Sequence, residues 1–118
     1  MNMSEFSSLV ELSPHTLRYY EKIDLLKNVQ RNSSGHRMYS SMDFKWISFI
    51  KRLKETAMPL EEILEYAKLR EVGSESVMLR QILLEQHKEN LRAHIDQQQK
   101  HLHALEDKIN LYKSGKVD

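Results

Sequence analysis

The sequence predicts a mainly α-helical chain: a helix-turn-helix module carrying a small hairpin wing, then one long carboxy-terminal helix that dimerises. Three observations predict it. Only three Gly and two Pro occur in 118 residues, and charged residues make up 30%, a mix that favours helix over sheet. The stretch SPHTLRYYEK, residues 13–22, opens with a helix start signal and then sets polar and cationic side chains on one face. From Ser74 to Lys113 there is no Gly or Pro, and apolar residues there recur every seven positions.

The totals bound the function classes. The length suits one small domain plus something extended. Apolar residues, at 40%, permit a modest core. No apolar run approaches the ~20 residues of a membrane span, and the amino terminus has no basic-then-apolar signal pattern. A cytoplasmic location without a membrane partner is therefore expected. There is no cysteine, which excludes disulfides, thiolate metal sites and a thiol switch. Net charge is only +1, but it is unevenly spread. Residues 15–54 carry nine Lys/Arg against three acids, whereas residues 71–118 carry seven against eight. A basic module joined to a near-neutral tail is a nucleic-acid footprint; a solvated basic face is the plainer alternative.

Phe6, Leu9 and Val10 stand at i, i+3 and i+4, the spacing of a short amphipathic first helix. Ser13 is a good N-cap and Pro14 suits the first helical position, so a second helix starts there and runs to about Ile23. With Leu17 turned inward, Tyr20 and Asp24 fall near it. His15, Arg18, Tyr19 and Lys22 fall on the opposite face. A recognition helix presents its first residues to base edges in just this way. Arg18 is suited to reading guanine, and Lys22 and the tyrosine hydroxyls to holding phosphates.

Val29 and Arg31, then Arg37 and Tyr39, flank the polar turn NSSG, which reads as a two-stranded wing with Arg31 and Arg37 near its tip. A plain surface loop is the alternative. Ser40 or Ser41 caps a third helix, with Asp43 at a capping-box offset. Trp46, Phe49, Ile50, Leu53 and Ala57 form its core stripe. Pro59 opens a fourth helix with Leu60, Ile63, Leu64 and Ala67 inward, and Gly73 ends it.

The long helix that follows cannot be buried along its length by so small a domain. Leu84, Leu91, Gln98, Leu105 and Tyr112 form one seven-residue series, and Lys88, Ile95, Leu102 and Ile109 the other. Together they make a heptad seam, and one helix cannot bury a seam, so a second chain is expected. Dimerisation thus falls to Leu84, Leu91, Ile95, Gln98, Leu102, Leu105, Ile109 and Tyr112. His87, His94 and His101 are also seven apart. On one helix they stand ~10 Å from each other, too far to share an ion, so they read as flanking polar positions and no metal or cofactor is expected.

SPHTLRYYEKIDLL followed by SSGHRMYSSMDFKWISFIKRLKETAMPLEEI resembles the DNA-binding domain of the MerR-type bacterial transcription regulators, closely over residues ~4–70 and in kind to ~112. The combination of LRYYE, a G-x-R-x-Y-S wing and M-P-L-E-E-I is specific; each piece by itself is weak. The resemblance implies a winged helix-turn-helix domain over 1–70 and an antiparallel coiled-coil helix with a short tail over 71–118. It implies a homodimer that binds a pseudo-palindromic promoter site and distorts the DNA, with RNA polymerase as the partner at the promoter. By position it assigns DNA contacts to Arg18, Tyr19 and Tyr20 on the recognition helix. On the wing it assigns them to Arg31, Gly35, His36, Arg37 and Tyr39. His15, Thr16 and Lys22 complete the expected contact set.

The sequence departs from the pattern at three points. Asp24 and Ala57 stand where glycine is common, and the third helix lacks the cysteine often found in short members, with Arg52 in that stretch. The chain also stops just after the coiled coil, which points to a short form without a separate effector-binding domain. An architectural or excisionase-like DNA-bending protein is one alternative function. A helical adaptor acting through its coiled coil is another. No nucleophile-base pair, phosphate-cradling loop or metal spacing marks an enzyme, and no catalytic residue is assigned.

Overall fold

The computed structural model describes residues 1–116; positions 117–118 of the expected tail lie outside them. The helices are α1 (Met3–Val10), α2 (Pro14–Lys22), α3 (Ser41–Glu55), α4 (Leu60–Val72) and α5 (Val77–Lys113), with strands β1 (Gln30–Arg31) and β2 (Arg37–Met38) between α2 and α3. The chain divides into two units, Met1–Val77 and Met78 onward.

Local signals set the boundaries in the first unit. Asn2 and Glu5 form a reciprocal capping box on α1, and Ser40 and Asp43 do the same on α3. Ser13 caps α2 and Pro14 occupies its first turn. The helix ends where Asp24 takes a left-handed conformation, φ 63°. The amides of Leu25 and Leu26 then both reach back to the Tyr20 carbonyl, at 2.9 and 3.1 Å. Those two leucines are buried, so the chain reversal after α2 is fastened into the core. Gly73, at φ 90°, closes α4, and a 3-10 turn over Ser74–Ser76 leads into α5.

Phe6, Leu17, Ile47, Ile50 and Ile63 are wholly buried and form the centre of this unit. Each such side chain contributes about 1.5–3 kcal/mol relative to exposure. Trp46 adds a polar anchor, its indole N–H donating to the Leu25 carbonyl at 2.7 Å.

The structure corrects several core expectations. Ile47 is buried although it lies off the anticipated stripe, because α3 packs against both α1 and α4 and so buries a wider face. Ala57 is exposed: α3 stops at Glu55, and Ala57 takes φ 66° in the turn that ends it. Met58 is buried instead, its amide bonded to the Leu53 carbonyl at 2.9 Å. Leu9 and Leu60 lie at the edges of their stripes and are exposed, and Phe49 and Leu64 are half-buried.

The second unit holds all but the first residue of α5, a helix of 37 residues, about 55 Å long at 1.5 Å per residue. Leu84 and Leu91 are half-buried. Ile95, Leu102, Leu105, Ile109 and Tyr112 are about half exposed, a row of large apolar side chains along one helix. His87 is buried, whereas His94 and His101 are exposed.

Candidate nucleic-acid interface

The cap that starts α2 also orders Thr16, the second residue of the contact set. The Ser13 hydroxyl accepts from the Thr16 amide at 3.1 Å and donates to the Thr16 hydroxyl at 3.0 Å. Beyond the cap, Leu17 and Tyr20 are buried, which turns His15, Arg18, Tyr19 and Lys22 to solvent. Arg18 and Lys22 form no ion pair among the described residues, so both charges are available to an anion.

The wing is small but its tip is well braced. β1 and β2 pair antiparallel, Gln30 opposite Met38 and Arg31 opposite Arg37. The Asn32 side-chain oxygen accepts from the amides of Ser34 and His36, both at 3.0 Å, and Gly35 supplies the positive φ, 82°, that the turn requires. Arg31 folds over the tip, donating through Nη1 to the Gly35 carbonyl at 2.8 Å.

Two contacts tie the wing to the helices. Arg37 Nε donates to Glu21 Oε1 of α2 at 2.9 Å. This bond raises the Arg37 pKa above its ordinary value, so the guanidinium stays charged wherever the fold exists. At the wing's foot Tyr39 stacks on Phe6 and exchanges two main-chain hydrogen bonds with Met1, at 2.8 and 2.6 Å.

His15, Thr16, Arg18, Tyr19 and Lys22 thus share one helix, and Arg31, His36 and Arg37 the neighbouring wing. Arg18, Arg31, His36 and Arg37 line a single cleft of about 620 Å³, together with Asn2, Met3 and Ser4 at the start of α1. Tyr20 and Tyr39 are placed differently. Both rings are core residues. The Tyr20 hydroxyl accepts from Lys54 Nζ at 3.1 Å, and the Tyr39 hydroxyl lies 3.6 Å from the Met3 sulfur. Burial raises the Tyr39 pKa, so its phenol is neutral at physiological pH.

Glu21, Lys54 and the start of α1 also belong to the neighbourhood of the site, and none of them is among the expected contacts. The Asn2–Glu5 capping box is a local signal that was not read, and nothing in the sequence places it beside the wing. The partners of Glu21 and Lys54 lie 16 and 34 residues away, and no periodicity marks such pairs. Other basic residues serve the fold: Lys51 Nζ donates to the Val10 carbonyl at 2.7 Å, and Lys27 pairs with Glu71 at 2.9 Å. Among the described residues, no three His, Cys, Asp or Glu side chains are grouped to hold a metal. No described helix is long and apolar enough to cross a membrane.

Comparison with known proteins agrees with this geometry. The model of the MerR HTH family regulatory proteins matches residues 1–69, and the MerR DNA-binding model matches residues 44–110. An uncharacterized HTH-type transcriptional regulator of Haemophilus influenzae is 33% identical over 108 residues, covering 92% of this chain and 80% of its own. The crystal structure of a MerR family transcriptional regulator from Listeria monocytogenes superposes with a TM-score of 0.90 at 32% identity, covering 96% of this chain and 86% of that one. HiNmlR, a MerR family regulator lacking the sensor domain and solved bound to promoter DNA, superposes with a TM-score of 0.87 at 30% identity, covering 98% and 92%. The chain belongs to the MerR family of helix-turn-helix regulatory proteins and is a DNA-binding transcription regulator.

Proposed function

We propose that the chain acts in the cytoplasm as a homodimer, joined through an antiparallel α5 seam, on a two-fold symmetric promoter site that it distorts. In this reading α2 enters the major groove and His15, Arg18 and Tyr19 meet base edges. Thr16, Lys22, Arg31, His36 and Arg37 meet the backbone on either side. Tyr20 and Tyr39 contribute through their hydroxyls while their rings hold the fold. RNA polymerase is the partner at the promoter, and the protein is not an enzyme.

The observation that carries the reading is the cationic cleft between α2 and the wing. The exposed row from Ile95 to Tyr112 supports the dimer, since a single chain leaves it in water. HiNmlR, matched over most of its length, was solved on promoter DNA, which supports the same ligand class here. Two DNA-binding units fixed by one seam set a half-site spacing, and a site that does not match it must bend or untwist.

A circular-permutation mobility assay tests the proposal on a duplex recovered by random-site selection. Mobility that varies with the position of the site, at a stoichiometry of two chains per duplex, is expected. Uniform mobility, or one chain per duplex, contradicts it.

A further inference from the structure

Glu21 is an acid on the DNA-facing module, one turn after Arg18 on α2. A carboxylate beside phosphate-binding groups opposes binding through simple charge, so its presence there calls for a compensating role. The structure shows what it holds. Its Oε1 accepts from Arg37 Nε at 2.9 Å, with both side chains about three-quarters buried.

Arg37 is a wing residue whose strand has only two members, too short to fix its own position. Its partner across the strand, Arg31, is bonded to the wing tip and not to α2. Tyr39 anchors the foot of the wing on Phe6. Arg37 lies two residues further out, at the start of β2. The Glu21–Arg37 bond is therefore a second tie, between the recognition helix and the outer part of the wing. It uses Nε, which leaves the two terminal nitrogens of the guanidinium fork to face an anion in the cleft with Arg18 and His36.

We propose that Glu21 is a positioning residue for DNA binding. By holding Arg37 it sets the distance from recognition helix to wing and aims the guanidinium at a backbone phosphate. The proposal rests on the DNA-binding reading and assigns to an acid a favourable part in it.

Charge and position predict opposite signs, which makes the test direct. The full chain, its Glu21→Gln variant, Arg37→Ala and the double variant are titrated by fluorescence anisotropy onto a duplex selected with the wild-type chain, and each is melted by circular dichroism. Charge considered by itself predicts that Glu21→Gln tightens binding. Positioning predicts that it weakens binding about tenfold, with a wild-type fold, and that it adds less than about twofold in the Arg37→Ala background. Arg37→Lys keeps the charge but lacks the Nε–H, and should weaken binding similarly even if Glu21→Gln folds poorly. Wild-type or tighter binding by Glu21→Gln overturns the proposal. So does wild-type binding by Arg37→Lys, or an undiminished Glu21→Gln loss in the Arg37→Ala background. A wild-type chain that binds no duplex sinks the DNA-binding reading itself, a separate result.

Discussion

Tyr39 lies flat on Phe6, ring centroids 4.2 Å apart and planes 4° from parallel, so the foot of the wing is part of the hydrophobic core. Tyr39→Ala should therefore cost about 3–5 kcal/mol of stability. Tyr39→Phe, which keeps the stacked ring and loses only a weak contact to the Met3 sulfur, should cost under about 1 kcal/mol. Urea unfolding of both variants checks this. If Tyr39→Phe keeps its stability but loses most DNA affinity, the hydroxyl is a direct phosphate contact.

Arg18 is exposed on the outer face of α2 and carries no ion pair among the described residues. Its removal should leave the melting transition unchanged. Arg18→Ala is expected to weaken specific binding by roughly 1–3 kcal/mol and to relax preference at one base pair of each half-site. Anisotropy titrations on the selected duplex and on single-base variants measure both effects. Full affinity in the variant would move the recognition surface away from α2.

Ala57 sits at φ 66° in the turn between α3 and α4, a conformation costly for a residue with a β-carbon. Ala57→Gly should raise stability by about 0.5–1 kcal/mol, the relief of strain exceeding the added freedom of the unfolded chain. A higher urea midpoint with an unchanged slope is the expected result. A lower midpoint would mean that the turn tolerates alanine without strain.

Most of the punctuation of the fold was legible because it is local. Ser13-Pro14, Ser40 with Asp43, and Gly73 each carry their own hydrogen-bonding or conformational reason to start or stop a helix. The outward set on α2 followed from a single inward residue, Leu17. What could not be read are relationships that the fold makes between distant segments. Nothing near Tyr39 in the chain shows that it will meet Phe6, or that Glu21 will take Arg37 while Arg31 folds over its own turn. Of the expected α3 stripe, Trp46, Ile50 and Leu53 are buried and Phe49 is half-buried, while Ile47 and Ala57 depart from it. Periodicity reveals one buried face, but α3 packs on α1 and α4 together, so Ile47 is enclosed as well; Ala57 is exposed because the helix stops at Glu55.

The row on α5 leads to a prediction about assembly. Leu91 is half-buried and Ile95 half exposed on this single helix. Replacing both with Glu places two charges among the apolar side chains of the proposed seam, where burial is costly. The double variant should elute as a monomer, by light scattering, at concentrations where the wild-type chain is a dimer. It should also lose binding to a two-half-site duplex. A surviving dimer would place the seam elsewhere.

Two copies of this chain are expected to read one symmetric DNA site. Selection from random duplex DNA, sequenced after rounds at two salt concentrations, tests it most directly. The expected result is a two-fold symmetric motif with one fixed half-site spacing, recovered at both salts. Recovery of no motif, with binding lost steeply as salt rises, would contradict it and leave only nonspecific attraction between the basic module and phosphates.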